Sequence, residues 1–251
     1  MIEPITGRLF GVGVGPGDPE LVTIKAHRVI TRCPVVAHFA ARGRRGNAWS
    51  IVEASLGAHQ EILRLEYPLT TETCEPGVYE QAIVEFYDQS AHLVAEVLAG
   101  GRDVAVVCEG DPFFYGSYMY LHQRLAHRYA AEVIPGVTSF SAAAAAAGTP
   151  LVSTTETLTV LPGILSASEL KEALTSADAA VVMKVGRHLD DVRRAAQAAG
   201  RDAEAIYVER ASCDEERVIP LDRTEGVGAP YFSLVLVPGR RLSQRHPIPE
   251  S

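Results

Sequence analysis

LFGVGVGPGDPELV, at residues 9–22, is the stretch that decides the fold. An apolar run enters glycines at alternate positions, with Pro16 among them. Asp18 then precedes Pro19 and a helical pattern. Aspartate is a good helix N-cap, and proline suits the first helical position. The stretch therefore predicts a strand, a tight glycine turn and a helix over residues 19–32.

The glycine turn does not match the common phosphate-binding loops. A G-x-G-x-x-G pattern would need glycine at Pro16 if it began at Gly11, and at Asp18 if it began at Gly13. No G-K-S/T pattern follows. Glycine is also favoured where a ligand or another backbone approaches closely. We therefore expect a site of another kind at this turn.

Composition is that of a globular protein with a sizeable core. The chain has 251 residues, 47% of them hydrophobic, and a formal net charge of −8. The negative charge argues against a nucleic-acid partner. The amino-acid sequence shows neither an apolar run long enough to span a membrane nor the pattern of a signal peptide, so we expect no membrane association. The four cysteines form no C-x-x-C pair, which predicts reduced, mostly buried thiols in a cytoplasmic protein.

Apolar strand-like runs alternate with helical patterns along most of the chain, which predicts a mainly parallel sheet covered on both faces. Beyond about residue 200 strands follow one another, which favours a mixed sheet. The expected fold class is α/β with two α/β domains, residues 1–130 and 131–251. The predicted strands are 9–14, 34–39, 62–65, 104–108, 131–134, 158–161, 179–184, 205–208 and 231–237. The predicted helices are 19–32, 47–58, 77–99, 117–129, 138–147, 168–176 and 188–199.

Ligands of parallel sheets bind beyond the carboxyl ends of the strands. Four such loops contain turn residues with small or polar side chains: 13–20, 109–117, 135–139 and 183–188. Their backbone groups, hydroxyls and carboxylate suit a ligand with amino-acid and nucleoside parts. The histidines do not cluster at metal-ligand spacing, so no metal is expected. No G-x-S-x-G nucleophile turn is present.

Arg42, Arg44 and Arg45 form a dense basic loop in an acidic chain. The loop is either simply solvated or a clamp for carboxylate or phosphate groups, which guanidinium groups bind in a bidentate manner. The sequence leaves both interpretations open.

Six motifs, which together extend over essentially the whole chain, resemble the tetrapyrrole (corrin/porphyrin) methyltransferase family. They are GVGPGDPELVT at 13–23, EGDPFFYGS at 109–117, VIPGVTS at 133–139, MKVGRH at 183–188, VERAS at 208–212 and YFSLVLV at 231–237. The resemblance implies two α/β domains of the class III methyltransferase type with a cleft between them, in a homodimer. S-adenosyl-L-methionine would lie folded in that cleft.

The resemblance also implies roles for particular residues. Cofactor contacts would come from Glu109, Gly110, Asp111, Tyr115, Thr138, Ser139, Met183, Lys184, Ala211, Phe232 and Ser233. The tetrapyrrole would lie against Gly15, Pro16, Gly17 and Asp18. Because such a substrate carries many carboxylates, we also expect a basic lining from Arg42, Arg44 and Arg45, with Lys184, Arg187 and Arg210 adding positive charge. The family's more usual residue before Gly110 is glycine, and here it is Glu109.

Within the family, the later motifs favour methyl transfer to the C-20 meso carbon of precorrin-2, giving precorrin-3A in cobalamin biosynthesis. A cobalt-containing substrate, another ring position, or uroporphyrinogen III are alternatives, as are ribosomal RNA or protein methylation and a non-catalytic nucleotide-binding module. The product carbon must lose a proton, and Asp18, Glu109, Tyr115, a substrate carboxylate or water could accept it. No catalytic residue is assigned on sequence alone.

Overall fold

The computed structural model describes residues 6–68 and 78–240. The chain forms two compact units that separate between Thr138 and Ser139. Each unit is built around its own five-stranded sheet. The two-part α/β prediction is therefore confirmed.

The first unit has a parallel sheet, because every strand pairing within it is parallel. The strand order is β3-β2-β4-β1-β5. The strands are β1 Leu9–Gly13, β2 Val35–Ala41, β3 Glu61–Tyr67, β4 Val104–Cys108 and β5 Ala131–Ile134, and the helices are α1 Ile24–Arg32, α2 Asn47–Val52, α3 Val78–Ala99 and α4 Tyr118–Leu125.

Both faces of this sheet are covered, and this explains why its central strands are apolar without alternation. On one face Val106 packs in a core with Leu98 of α3 and Tyr118 of α4. On the other face Val107 packs in a core with Ile30 of α1 and other residues. All five residues of β4 are buried.

The single helix predicted over residues 19–32 is wrong. A short 3-10 turn covers Pro19–Leu21, and α1 begins only at Ile24. Asp18 Oδ1 accepts the Glu20 backbone N–H over 2.7 Å, so it caps the turn. Thr23 Oγ1 accepts the Ala26 N–H over 3.1 Å and caps the helix. Two good capping residues in succession start two separate elements.

The second unit has a mixed sheet of order β6-β7-β10-β8-β9. Strands β6 and β7 are parallel, whereas the remaining pairings are antiparallel. This confirms the mixed sheet. The strands are β6 Leu158–Pro162, β7 Ala179–Met183, β8 Ile206–Glu209, β9 Arg217–Pro220 and β10 Ser233–Val237, and the helices are α5 Ser139–Ala146, α6 Ala167–Ser176 and α7 Leu189–Ala198.

Two features of the units differ from the sequence pattern. Strand β9 was not predicted, because it is a short, largely exposed edge strand that follows charged residues. Strand β5 pairs with β1 and so belongs to the first unit, although the sequence placed the second domain from residue 131. The pairing of Leu9 with Ala131 is a long-range contact that local sequence does not show.

The buried Arg201 ties together separate parts of the second unit. Its guanidinium donates to the backbone carbonyls of Ala177 over 2.9 Å, Asp178 over 3.1 Å and Pro238 over 2.9 Å. It also pairs with Glu204. These bonds join the end of α6 and the start of β7 to the segment after β10, and they satisfy a buried charge.

Cys33 and Cys108 are buried thiols, and neither they nor Cys213 form a disulfide among the described residues. Cys74 lies outside the described residues. In the part of the chain that the structure describes, no helix has both the length and the apolar character that a membrane crossing needs.

Candidate functional site

Three loops of the first unit meet through glycine backbone at the carboxyl edge of its sheet. Gly110 N donates to Gly15 O over 2.8 Å, and Gly15 N donates to Gly110 O over 3.4 Å. A Cβ on Gly136 would lie 2.0 Å from the Gly110 carbonyl oxygen, and one on Gly13 would lie 2.6 Å from the same atom. The glycines therefore allow the loops after β1, β4 and β5 to pack directly on each other.

Asp111 joins two of these loops. Its Oδ1 accepts the Phe113 N–H over 2.9 Å, and its Oδ2 accepts the Gly136 N–H over 3.1 Å. The carboxylate thus holds the loop after β4 against the loop after β5. This contact is structural, and the sequence did not indicate it.

Glu109, the first residue after β4, contacts the start of α2. Its Oε1 accepts the Ala48 backbone N–H over 3.2 Å. Burial raises the pKa of Glu109 to about 7, and hydrogen bonds from Ala48 and Asn47 oppose part of the rise. The carboxyl group consequently changes charge close to neutral pH.

The arginine loop after β2 is exposed but only partly available to a ligand. Arg45 forms an ion pair with Glu53. Arg42 borders a cavity of about 220 Å³ that Glu66 and Glu85 also line. Arg44 O accepts a hydrogen bond from Arg64 over 2.9 Å, which helps to hold the loop.

The predicted residues of the second unit come together where β7 and β8 end and β10 begins. Arg210 N donates to Phe232 O over 2.8 Å. Ser233 Oγ accepts the Gly186 N–H over 3.3 Å and donates to Pro230 O over 2.8 Å. The antiparallel pairing of β10 with β7 and β8 brings these ends together. Met183, Lys184, Ala211, Phe232 and Ser233 thus lie on connected loops.

The loop after β6 also reaches this edge, although the sequence analysis did not select it. Gly163 N donates to Met183 O over 2.6 Å. A Cβ at Gly163 would lie 3.1 Å from that oxygen, so glycine suits the close approach. The sequence feature that could have indicated this loop is the Pro162-Gly163 turn at the end of a predicted strand.

Left-handed backbone conformations accumulate at or beside the predicted site residues. Among the described residues, the non-glycine positions with positive φ are Tyr115, Lys184, Arg210 and Ser212, at 56°, 57°, 45° and 66°. Each such conformation costs about 1–3 kcal/mol. Strain of this kind often marks functional loops, and here it lies next to positions that the sequence had selected independently.

Exposed aromatic side chains also lie on these loops. Phe113 and Tyr115 follow β4, and they are 49% and 43% exposed. Tyr231 and Phe232 precede β10, with exposures of 62% and 39%. Exposing a large aromatic side chain to water is unfavourable. Exposed aromatic side chains are nevertheless common on loops that bind flat ligands.

A partly buried polar network supports the loop after β4, and most of its residues were not predicted from the sequence. Tyr67 at the end of β3 forms a 2.6 Å hydrogen bond between its hydroxyl and Ser117 Oγ. The hydroxyls of Tyr67 and Tyr87 lie 3.5 Å apart. Burial raises the pKa of both tyrosines. Ser117 was noted only as a polar loop residue, because its partners are distant in sequence.

The remaining predicted residues lie as follows. Gly15 is buried and has φ +79°, while Pro16, Gly17 and Asp18 are half-buried in the loop after β1. Thr138 and Ser139 are half-buried at the start of α5. Over residues 6–68 and 78–240, no group of three or more histidine, cysteine, aspartate or glutamate residues is arranged to hold a metal ion.

The fold and the strand-end loops define an α/β protein of the class III methyltransferase type. A family model described as tetrapyrrole (corrin/porphyrin) methylases matches residues 8–225. The chain belongs to this family.

Three similar proteins show how close the relationship is. A Sinorhizobium protein named precorrin-2 C(20)-methyltransferase is 50% identical, over 93% of this chain and 96% of the relative. A Salmonella typhimurium protein named cobalt-precorrin-2 C(20)-methyltransferase is 30% identical, over 93% of this chain and 97% of its own length. The solved structure of a Thermus thermophilus uroporphyrin-III C-methyl transferase, complexed with S-adenyl homocysteine, covers 92% of both chains with a TM-score of 0.66 and 26% identity.

Proposed function

We propose that this protein transfers a methyl group from S-adenosylmethionine to C-20 of precorrin-2, giving precorrin-3A in cobalamin biosynthesis. The observation that supports this most strongly is the 50% identity, over nearly the full length of both proteins, to the Sinorhizobium relative of that name. The strand-end loops described above supply suitable binding groups. The chain is therefore proposed to be a C-methyltransferase.

The residues proposed to bind S-adenosylmethionine fit its chemistry. The ligand combines an amino acid, a ribose and an adenine, so it needs hydrogen-bonding groups and an apolar surface. The loop after β4 offers backbone groups at Gly110 and an exposed Tyr115. The loops of the second unit offer Ser233 and backbone at Met183. The Thermus relative with bound S-adenyl homocysteine supports S-adenosylmethionine as the class of ligand.

The proposed reaction needs mainly alignment from the protein. The sulfonium of S-adenosylmethionine already activates the methyl group, and in-line displacement requires the acceptor carbon at about 3–3.5 Å. Within the first unit, closely packed glycine loops and the strained backbone at Tyr115 provide fixed backbone positions for such alignment.

The tetrapyrrole carries many carboxylates, and we propose that Arg42 and Arg44 attract them. Arg45 is a poorer candidate because Glu53 already neutralises it. Arg42→Ala with Arg44→Ala should weaken tetrapyrrole binding about 10-fold or more, since two ionic contacts are lost. Titration of tetrapyrrole fluorescence quenching would measure this.

Arg45→Ala is the matched control and should change tetrapyrrole affinity by less than about threefold. Affinity for S-adenosylmethionine should stay unchanged in both variants. Unchanged tetrapyrrole affinity in the double variant would refute a role for the loop.

Two broader properties are proposed with the activity. The resemblance to the family supports a homodimer, which sedimentation of the purified protein would test. The free thiols of Cys33 and Cys108 suit a reducing compartment, and they support a cytoplasmic location.

An anaerobic assay tests the activity itself. Precorrin-2 and cobalt-precorrin-2 are each offered with carbon-13-methyl S-adenosylmethionine, and NMR locates the new methyl group. We expect methylation at C-20 of precorrin-2. Labelling of another carbon would contradict the proposed ring position, and no labelling of either tetrapyrrole would contradict the activity.

The cobalt-containing substrate is the second candidate. The Salmonella relative, named for cobalt-precorrin-2, supports it, but at 30% identity against 50% for the metal-free counterpart. A higher kcat/KM for cobalt-precorrin-2 in the same assay would reverse the preference.

A further inference from the structure

Glu109 lies at the carboxyl end of β4 in the parallel sheet of the first unit, which is the edge where parallel sheets commonly bind ligands. The chain leaves β2 toward β3 through α2, and it leaves β4 toward β5 through α4. Strands β2 and β4 are neighbours, and these two connections run in opposite directions. Such a divergence creates a crevice beyond the carboxyl ends of the two strands. Glu109 is the first residue after β4, and the arginine loop follows β2.

The Glu109 side chain is directed toward the start of α2. Val107, two residues earlier, packs in the core under α1 and α2, and alternation places Glu109 on the same face. The hydrogen bond from Ala48 N to Glu109 Oε1 confirms the direction. The carboxyl group therefore lies beside the loop that we propose to attract the tetrapyrrole.

Two other carboxylates near the proposed site are already engaged by backbone. Asp18 Oδ1 accepts the Glu20 N–H. Both oxygens of Asp111 accept backbone N–H groups from Phe113 and Gly136. Glu109 also accepts one backbone N–H, from Ala48. It differs from Asp111, because both Asp111 oxygens are occupied and together join two loops, which a proton there would weaken.

We propose that Glu109 accepts the proton that C-20 of the tetrapyrrole loses after methyl transfer. This inference rests on the proposed function. In the first step a C–C bond forms between C-20 and the methyl carbon, while the sulfur–methyl bond breaks and its electron pair stays on sulfur. In the second step the C-20–H bond breaks, its electrons restore the conjugated system, and the proton passes to the Glu109 carboxylate and then to water.

The surroundings of Glu109 suit this role. A proton acceptor works best when its pKa is close to the working pH, and burial raises the pKa of Glu109 to about 7. Asn47 of α2 also forms a hydrogen bond with Glu109. The other titratable or charged groups on the adjoining β2–α2 segment are His38 and the Arg45–Glu53 pair. Burial lowers the pKa of His38, which stacks on Trp49, so His38 is neutral near pH 7.

Glu109→Gln tests the proposal, because the amide oxygen can still accept the Ala48 N–H while the basic carboxylate is gone. The probe is precorrin-2 carrying hydrogen or deuterium at C-20, used with S-adenosylmethionine. We expect product formation to fall about 100-fold and a primary deuterium isotope effect to appear or increase. The rise of kcat/KM with pH near 7 should disappear. Because the family resemblance also implies a cofactor contact for Glu109, S-adenosylmethionine affinity is measured alongside, and it should fall far less than the rate.

Two further variants separate chemistry from structure. Glu109→Asp keeps a carboxylate and should restore the pH dependence with part of the rate. Glu132→Gln removes a carboxylate of β5 that pairs with Lys25 and should leave the rate, isotope effect and pH profile unchanged.

The outcomes are distinguishable. A Glu109→Gln rate within about threefold of wild type overturns the proposal, and so does a slower rate with an unchanged isotope effect and pH profile. Absence of C-20 methylation by the wild-type protein refutes the proposed function instead.

Discussion

At the scale of a single residue, Glu109 is a carboxyl group whose surroundings favour its neutral form. Its folded pKa of about 7 lies above the usual value of 4.5. Folding therefore stabilises the protonated form, and the stabilisation is complete below pH 4.5. It is lost as the pH rises through about 7, because the fold must then hold a charge on a half-buried, largely desolvated carboxylate. The same burial that prepares the group to accept a proton thus lowers stability at high pH.

A prediction follows for stability against pH. Relative to wild type, Glu109→Gln should become more stable between pH 5 and pH 8 by about 1–3 kcal/mol, since one pKa unit corresponds to about 1.4 kcal/mol and partial exposure reduces the full effect. Urea unfolding of both proteins at a series of pH values measures the difference. A stability difference that is constant across this range would show that the Glu109 pKa is not raised.

At the scale of the element, the strand-end loops of the first unit pack together because their contact residues are glycines, which have no side chain. Gly13 and Gly136 approach Gly110 too closely for any Cβ. The Asp111 carboxylate then bonds across two of the loops. The first unit therefore holds its three loops through backbone contacts, and small changes at one glycine should displace all three.

Gly136→Ala should disrupt this arrangement, because its Cβ would lie 2.0 Å from the Gly110 carbonyl oxygen. We expect a loss of about 3 kcal/mol or more in unfolding free energy, as for a severe overpacking change. S-adenosylmethionine affinity, measured by calorimetry, should fall at least 10-fold.

Gly228→Ala is the control, since its Cβ would have open space and no positive φ. Stability and ligand affinity should both remain close to wild type. If Gly136→Ala behaves like this control, the loops tolerate more separation than the backbone contacts indicate.

At the scale of the whole molecule, the described residues bury separate cores within the two units. Leu98 and Val106 belong to a core of the first unit. Leu170 and Val235 belong to the core of the second. Each unit therefore has its own source of hydrophobic stabilisation.

Leu98→Ala and Leu170→Ala should each cost about 2–5 kcal/mol, because both side chains are fully buried. Hydrogen exchange followed by mass spectrometry should show the loss of protection mainly within the unit that contains the substitution. An equal loss in both units would mean that they unfold as one cooperative body.

Continuous apolar runs identified β1 and β4 with few errors, because strands buried on both faces are apolar almost throughout. Strand β5 was also located, although it is a half-buried edge strand that contains Glu132. The prediction of one helix over residues 19–32 was wrong. Asp18 caps a 3-10 turn and Thr23 caps α1, so the segment forms two separate elements. Strand β9 was missed, because an exposed edge strand needs no apolar pattern.

The sequence alone determined the α/β class, most strand positions, the loops that lie at strand ends and the family. These properties depend on local periodicity and on motifs. Only the tertiary structure decided that β5 pairs with β1, that Asp111 joins two loops, and that Glu109 meets the start of α2. Such contacts join residues far apart in the chain, and burial by distant segments sets their energies. The pKa of Glu109 is therefore a property of the fold, although its position beside Gly110 is written in the sequence.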